Sequence, residues 1–279
     1  MGLRKGRRWT VRLGLVAVAL LGAACGGTGG GGPAIPGLAS EDSKAPTEIL
    51  KDAQAALRGA KTVTVHFSGS SSGSRVDLTL TSDGKGNAQG SGNLDTAPVQ
   101  LLVYSGTFYM KGPAFFAKLA PATVTPEQKQ QFLATIADRW VSFGSSSTAG
   151  VGDLANLGQP AVLADCLDAH GTLAKGGTDT VNSKKAIVLT NKGDAPGDSP
   201  GKLYIAVDSP HYPLRIVQSG AVTPGTAAVH GKCPTSTSSD SSGSSANQDV
   251  TIDLSDFDKS VTISAPVNPL DVSKLLTGG

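Results

Sequence analysis

KTVTVHFSGSSSGSRVDLTLTS, residues Lys61 to Ser82, decides how the chain folds. Before Lys61 the apolar residues recur every three or four positions; from Val63 they recur every second one. Val63, Val65 and Phe67 fall on one face of an extended segment, Thr64 and His66 on the other. The second half repeats the pattern, with Val76, Leu78 and Leu80 set against Arg75, Asp77 and Thr79. GSSSG between the halves reads as a hairpin connection. Two half-apolar strands joined this way specify antiparallel sheet with one face to cover.

Upstream, APTEILKDAQAALRGAK, Ala45 to Lys61, predicts a helix. Thr47 can cap it, Ile49, Leu50, Ala53, Ala56 and Leu57 form one stripe, and Gly59 stops it. Downstream, SDGKG makes the next turn through its Asp-Gly pair. A glycine-rich strand, GNAQGSGNL, follows, then VQLLVYSG and TFYMKG with Ser105-Gly106 between them. Gly90 and Gly92 inside a strand predict a bend or a close backbone approach. TPEQKQQFLATIADRW, Thr125 to Trp140, predicts a second helix, with Pro126 at its first position and Phe132, Leu133, Ile136 and Trp140 on its buried stripe. WVSFG starts a strand. GDLANLGQPAVLADCL reads as two short helical pieces broken at Gly158 and restarted at Pro160. Strands are then expected around 172–175, 181–190, 202–208 and 214–219, with NKGDAPGDSPG and DSPHYP as turns. CPTSTSSDSSGSSANQ, 233–248, is a low-complexity loop expected to be disordered. VTIDLSDF and SVTISAP predict two last strands, and NPLDVSKLL a short C-terminal helix. About a dozen strands in hairpin order, interrupted by helices, give an α+β fold: a curved, mostly antiparallel sheet with helices on its apolar face.

The N-terminus has a different character. Arg4, Lys5, Arg7, Arg8 and Arg12 precede LGLVAVALLGAA, a 12-residue apolar run too short to span a bilayer. Residues 1–24 therefore read as a signal peptide. Gly22, Ala23 and Ala24 lead into Cys25, which resembles a bacterial lipobox with its leucine at Leu21, one place early. The resemblance implies that Cys25 is acylated after cleavage; the other reading is an ordinary signal cut with Cys25 a stray thiol. Arg7-Arg8 faintly resembles a twin-arginine signal, so the export route stays open. Residues 25–44, rich in glycine and proline, form a linker with a reach of about 25 Å. The remaining 45–279 would then be one domain.

Removing residues 1–24 takes away five basic residues and no acid, turning a net charge of +2 into −3. A slightly acidic exported body argues against nucleic acid or anionic headgroups as partners. Charged residues are only 16% of the chain, against about 25% in ordinary soluble domains. That low share suits a β-rich exported protein. Cys166 and Cys233 remain; in an oxidising compartment they read as a disulfide, the alternative being two separate buried thiols. A bond across that span is worth about 4 kcal/mol in the chain-entropy account.

Catalytic signatures find no context. Gly69-Ser70-Ser71-Ser72-Gly73 matches G-x-S-x-G, but a nucleophile elbow needs a strand-to-helix turn and this is a hairpin. Ser82 to Lys85 matches S-x-x-K in a turn rather than at a helix start. His66, His170, His211 and His230 have no ligand spacing. Asp253, Asp256 and Asp258, and Asp194 with Asp198, lack the pattern of a calcium loop. No cofactor or metal is expected.

A further signal lies in the order of elements. A lipobox precedes a helix ending in Gly-Ala-Lys, then TVTVHFSG, a glycine-rich strand and LLVYSGTFYMKGPAFF; a helix leads into RWVSFG, and GKLYIAVDSPHYPLRIV follows. This order resembles the LppX/LprA/LprF/LprG-type actinobacterial lipoproteins and, more loosely, the LolA/LolB-like lipoprotein carriers. The resemblance covers most of residues 45–270 and includes Val103-Tyr104, Tyr109 to Gly112 and Tyr212 to Arg215. It implies a half-barrel whose concave side, roofed by helices, holds acyl chains. Expected on that basis is a non-enzymatic, monomeric lipoprotein anchored to the outer face of the bacterial cytoplasmic membrane. It would bind, and for transfer pass on, an acylated lipid or lipoglycan, with an envelope transporter as a partner. Val63, Val65, Phe67, Val76, Leu78, Leu80, Leu101 and Val103 would line the cavity. The same residues suit a solid core, which would make the chain an envelope scaffold or accessory interaction protein. A hydrolase built on Ser71 is the third possibility.

Overall fold

The computed structural model describes residues 41, 43–71, 74–119, 125–143, 159–167, 171–224 and 247–271. All belong to one of the chain's two compact units, Ile35–Gly279. Cys25, the signal segment, Cys233, His170, His230 and nearly all of the serine-rich tract lie outside the described residues.

Twelve strands form one sheet in the order β12-β6-β5-β4-β3-β2-β1-β11-β10-β9-β8-β7. They are β1 (Val63–Ser71), β2 (Ser74–Ser82), β3 (Ala88–Leu94), β4 (Ala97–Tyr104), β5 (Thr107–Lys111), β6 (Val141–Phe143), β7 (Leu173–Val181), β8 (Lys184–Asn191), β9 (Gly201–Ala206), β10 (Pro213–Ala221), β11 (Asn247–Ser255) and β12 (Leu270–Asp271). β1 to β6 form one antiparallel meander and β7 to β11 another. One long-range ladder, β1 against β11, seals them, pairing Val65 with Leu254 and Phe67 with Ile252. Only β12 is parallel to its neighbour. The sheet is open and curved, with a few helices, as the α+β reading expects.

The helices among the described residues are α1 (Pro46–Gly59), α2 (Pro113–Leu119), α3 (Pro126–Ile136) and α4 (Pro160–Cys166). α1 begins two residues earlier than a Thr47 cap would allow. Its cap is Ala45, whose N–H is bonded by the Glu48 carboxylate at 2.9 Å, and Pro46 needs no N–H partner at the first position. Ile49, Leu50, Ala53 and Leu57 are its buried stripe, while Ala56 is half-buried. α3 is capped by Thr125, whose hydroxyl accepts from the Gln128 N–H. It stops at Ile136, short of Trp140, and Ile136 is its one fully buried residue. α2 has no counterpart in the sequence reading. At seven residues it is too short to show a helical period, and it starts at a proline one residue after a strand.

Two further expectations are corrected. Residues 172–190 form a complete hairpin, turning at Asn182 and Ser183 with φ of 48° and 64°. β7 is exposed from Ala174 to Thr180, so the apolar alternation that marks a half-buried strand is missing. SVTISAP forms no strand, and Leu270–Asp271 is a strand where a helix was expected. The physical reason is occupancy: β11 lies between β1 and β10 with both edges paired, so the chain after it finds no free neighbour. It crosses to the edge beside β6, where the Leu270 N–H donates to the Trp140 carbonyl at 2.7 Å.

Candidate functional site

Cross-strand register arranges the inward residues in rows. One row runs Val141, Met110, Leu101, Gly90, Leu80, Val65 and Leu254. The next runs Val99, Gly92, Leu78, Phe67, Ile252 and Ile216. All eight residues expected to line a cavity lie on this face and in one apolar cluster. Val63, Val65, Phe67, Leu78, Leu80 and Leu101 are buried members; Val76 and Val103 pack against it half-buried.

Gly90 and Gly92 interrupt both rows. A Cβ on Gly90 would lie 2.1 Å from the Thr79 carbonyl oxygen and 2.5 Å from Leu80 Cδ2; one on Gly92 would lie 2.0 Å from the Asp77 oxygen. The close approach expected of these glycines is therefore present, and the Leu80 side chain occupies the room that a Gly90 side chain would need.

The helices cover the face as two separate pairs. α1 packs with α4 and touches β7 and β10; α2 packs with α3 and touches β4. Phe116 anchors the second pair, stacked on Phe143 at 6.0 Å and edge-on to Phe132 at 6.3 Å. Sequence reasoning missed Phe115 and Phe116 because the helix that carries them went unread. Phe116 joins Ile136, Val141 and Met110 in the core.

Polar groups concentrate where the chain enters the body. Glu41 and Lys44, at the end of the segment read as linker, are already bound to it. Glu41, 1% exposed, pairs with Lys44 and with His211 Nε2 at 3.2 Å, while Lys44 reaches Asp52 at 2.6 Å. Asp52 and Glu41 together raise the Lys44 pKa. Nearby, Tyr212 stacks on Phe257 at 4.0 Å and donates to Asp258 at 2.6 Å. Burial, then the Asp258 carboxylate, push the Tyr212 hydroxyl up to about 12. The Tyr212 hydroxyl and the Lys61 N–H hold Asp258 below the usual carboxylate range.

The remaining chemical candidates have structural partners. His66 lies 3.1 Å from Asp77 on the outer face. Asp253 takes the Arg215 Nε at 2.6 Å, and Asp256 pairs with Lys259. Asp194 accepts from the Thr172 N–H and hydroxyl, and Asp198 from Asn191 at 2.7 Å. Among the described residues no three His, Cys, Asp or Glu side chains converge as metal ligands. Ser71 sits in β1 opposite Gln248 and Ser74, within a strand-to-strand hairpin. Ser82 to Lys85 is a turn held by Ser82 and Asp83 side chains. Cys166 ends α4.

No protein-family model and no curated protein matches the chain. Solved structures do show likeness. LprF from Mycobacterium bovis is 17% identical, with 79% of this chain and 96% of that chain covered and a TM-score of 0.46. Lipoprotein LppX from Mycobacterium tuberculosis is 13% identical, with 79% and 100% covered and a TM-score of 0.47. A LolA superfamily protein from Nitrosomonas europaea is 12% identical, with 79% and 96% covered and a TM-score of 0.27. The fold assignment rests on the strand order and register above. In the course of its chain, the body is similar to these structures.

Proposed function

We propose that the chain is an exported lipoprotein, anchored through acylated Cys25, whose body takes up the acyl chains of a lipid or lipoglycan between its sheet and its two helix pairs. The observation that carries this reading is the apolar face running from β6 to β10, broken only at Gly90 and Gly92, under two helix pairs that pack separately. An acyl chain laid along the Met110–Leu101–Leu80–Val65 row would replace helix contacts with its own, gaining about 0.8 kcal/mol per buried methylene. Residues 1–24 act as the signal peptide, 25–44 as the tether, its end docked on the body through Glu41 and Lys44, and 45–279 as a single domain, with Cys166 bonded to Cys233 and the anchored protein on the outer face of the cytoplasmic membrane. Binding and hand-over to another membrane or to an envelope transporter require no catalysis.

The experiment is titration of the purified chain with a fluorescent fatty-acid probe. Saturable binding, displaced by unlabelled fatty acid, supports the carrier. Absence of binding favours a second reading, a solid-core envelope interaction protein. One observation speaks for that second reading: Val63, Val65, Leu78, Leu80 and Leu101 are each at most 1% exposed.

A further inference from the structure

The opposite face of the sheet carries an open pocket floored by the outward residues of the strands that form the acyl face. Alternate residues of β2, β3 and β4 turn away from the core and align in two rows: Thr79, Ser91 and Gln100, then Thr81, Gln89 and Leu102. The segment after β11 crosses over them. It is tied at one end by Thr62, whose hydroxyl donates to the Lys259 carbonyl at 2.8 Å. At the other end Arg139 donates to the Asn268 carbonyl at 3.0 Å. Between this strap, Trp140 and the sheet lies a space of about 660 Å³, within the range of small-molecule sites.

The chemistry of its walls is selective. No charged side chain lines it, so a charged ligand would find no opposite charge there to offset its desolvation. On the sheet side its polar lining is hydroxyls and primary amides, groups that both donate and accept, while the strap contributes Thr262 and Ser264 beside the apolar Ala265, Pro266 and Val267. Among the described residues, the side chains of Thr79, Gln89, Ser91 and Gln100 make no hydrogen bond, and neither do the backbone groups of residues 260–267. Only Thr81 is engaged, with Thr64 at 3.0 Å. Leu102, 4% exposed although it lies on the outward side of the register, and Trp140 add apolar lining. Neutral donors and acceptors in two parallel rows beside an aromatic ring suit a ligand that is uncharged, rich in hydroxyls and faced with C–H groups. That is the chemistry of a sugar ring.

We infer that this cavity binds a neutral oligosaccharide segment, with Gln89 and Gln100 hydrogen-bonding its hydroxyls and Trp140 packing against a ring face. The ligand is either a stretch of free polysaccharide or the uncharged head of a glycolipid. The site lies across the sheet from the acyl face, so it stands whether or not acyl chains bind there.

The chain provides its own reporter. It has two tryptophans, Trp9 and Trp140, so Trp9→Phe in the full chain leaves Trp140 as its only tryptophan, excited at the red edge where tyrosine does not absorb. The experiment titrates this protein with mannotriose, maltotriose and arabinotriose, and separately with phosphatidylcholine vesicles carrying digalactosyldiacylglycerol. A saturable change in Trp140 emission with any trisaccharide assigns free polysaccharide; a change with the glycolipid vesicles alone assigns a glycolipid head. In both cases Gln89→Leu and Gln100→Leu each weaken binding about tenfold while circular dichroism and fatty-acid-probe binding stay unchanged. Two results overturn the inference: no saturable response to any of these ligands, or a response that neither glutamine substitution weakens.

Discussion

Gly90→Ala tests the fold at its most constrained point. The added methyl carbon would sit 2.1 Å from the Thr79 carbonyl oxygen, about 1.3 Å inside the 3.4 Å at which ordinary contact begins, and 2.5 Å from Leu80 Cδ2. Rotating Leu80 relieves the second clash but not the first, which is with backbone. β3 must therefore slide away from β2, stretching hydrogen bonds on both sides of Leu80 and loosening a side chain that is 1% exposed. Overpacking of a close-packed core costs about 1–3 kcal/mol, and a strained ladder adds to it, so a loss of about 3 kcal/mol is expected. Gly59→Ala is the control: nothing lies within 4 Å of its added carbon, and it ends α1. Replacing a helical glycine that has room should stabilise by about 0.5 kcal/mol. Urea unfolding followed by circular dichroism reads both. A Gly90→Ala protein as stable as the parent would refute the assigned register of β2, β3 and β4.

Leu80→Ala should cost about 2–5 kcal/mol and Val103→Ala, half-buried, about 1 kcal/mol, by the same unfolding assay. Asp83, Asp194 and Asp258 all have pKa values lowered by folding. Burial opposes ionisation of Asp83, but bonds from Asn87 and Lys85 outweigh it; Thr172 acts on Asp194 and Tyr212 on Asp258. The unfolded chain therefore takes up protons first, and stability should fall as pH drops below about 4. Asp258→Asn should flatten part of that loss in acid titrations. At the other extreme Tyr212 is raised from 10 to about 12, so its contribution holds below pH 10 and disappears as pH rises toward 12. Cys25→Ser should move the protein from the membrane fraction to the soluble one, and Cys166 and Cys233 should react with thiol reagents in denaturant only after reduction.

Much of the architecture is legible because burial on one side imposes period two. Val63, Val65 and Phe67, then Val76, Leu78 and Leu80, could have faced only one way once the hairpin was recognised. Ser105 and Gly106 were readable as a turn, and both have positive φ, 49° and 75°. Legibility fails where burial does not write a pattern. β7 is exposed from Ala174 to Thr180, so the alternation that would join it to β8 as one hairpin is missing; α2 is too short to show a helical stripe. SVTISAP has the right alternation and no partner, because β1 and β10 both spend their edges on β11. For the candidate site, the sequence marked the inner apolar face but could not show how closely the helices lie on it. Thr79, Gln89, Ser91 and Gln100 read as ordinary outward strand residues, and only the course of residues 259–269 makes them the floor of a cavity.

The central claim is that this body carries acyl chains. Native mass spectrometry of the full chain, purified from its own kind of host without detergent, before and after solvent extraction, tests it most directly. Excess mass beyond the Cys25 modification that leaves on extraction as acylated species is the predicted result. A Cys25→Ser protein that shows only the bare polypeptide mass would contradict the carrier and leave an anchored interaction protein with a solid core.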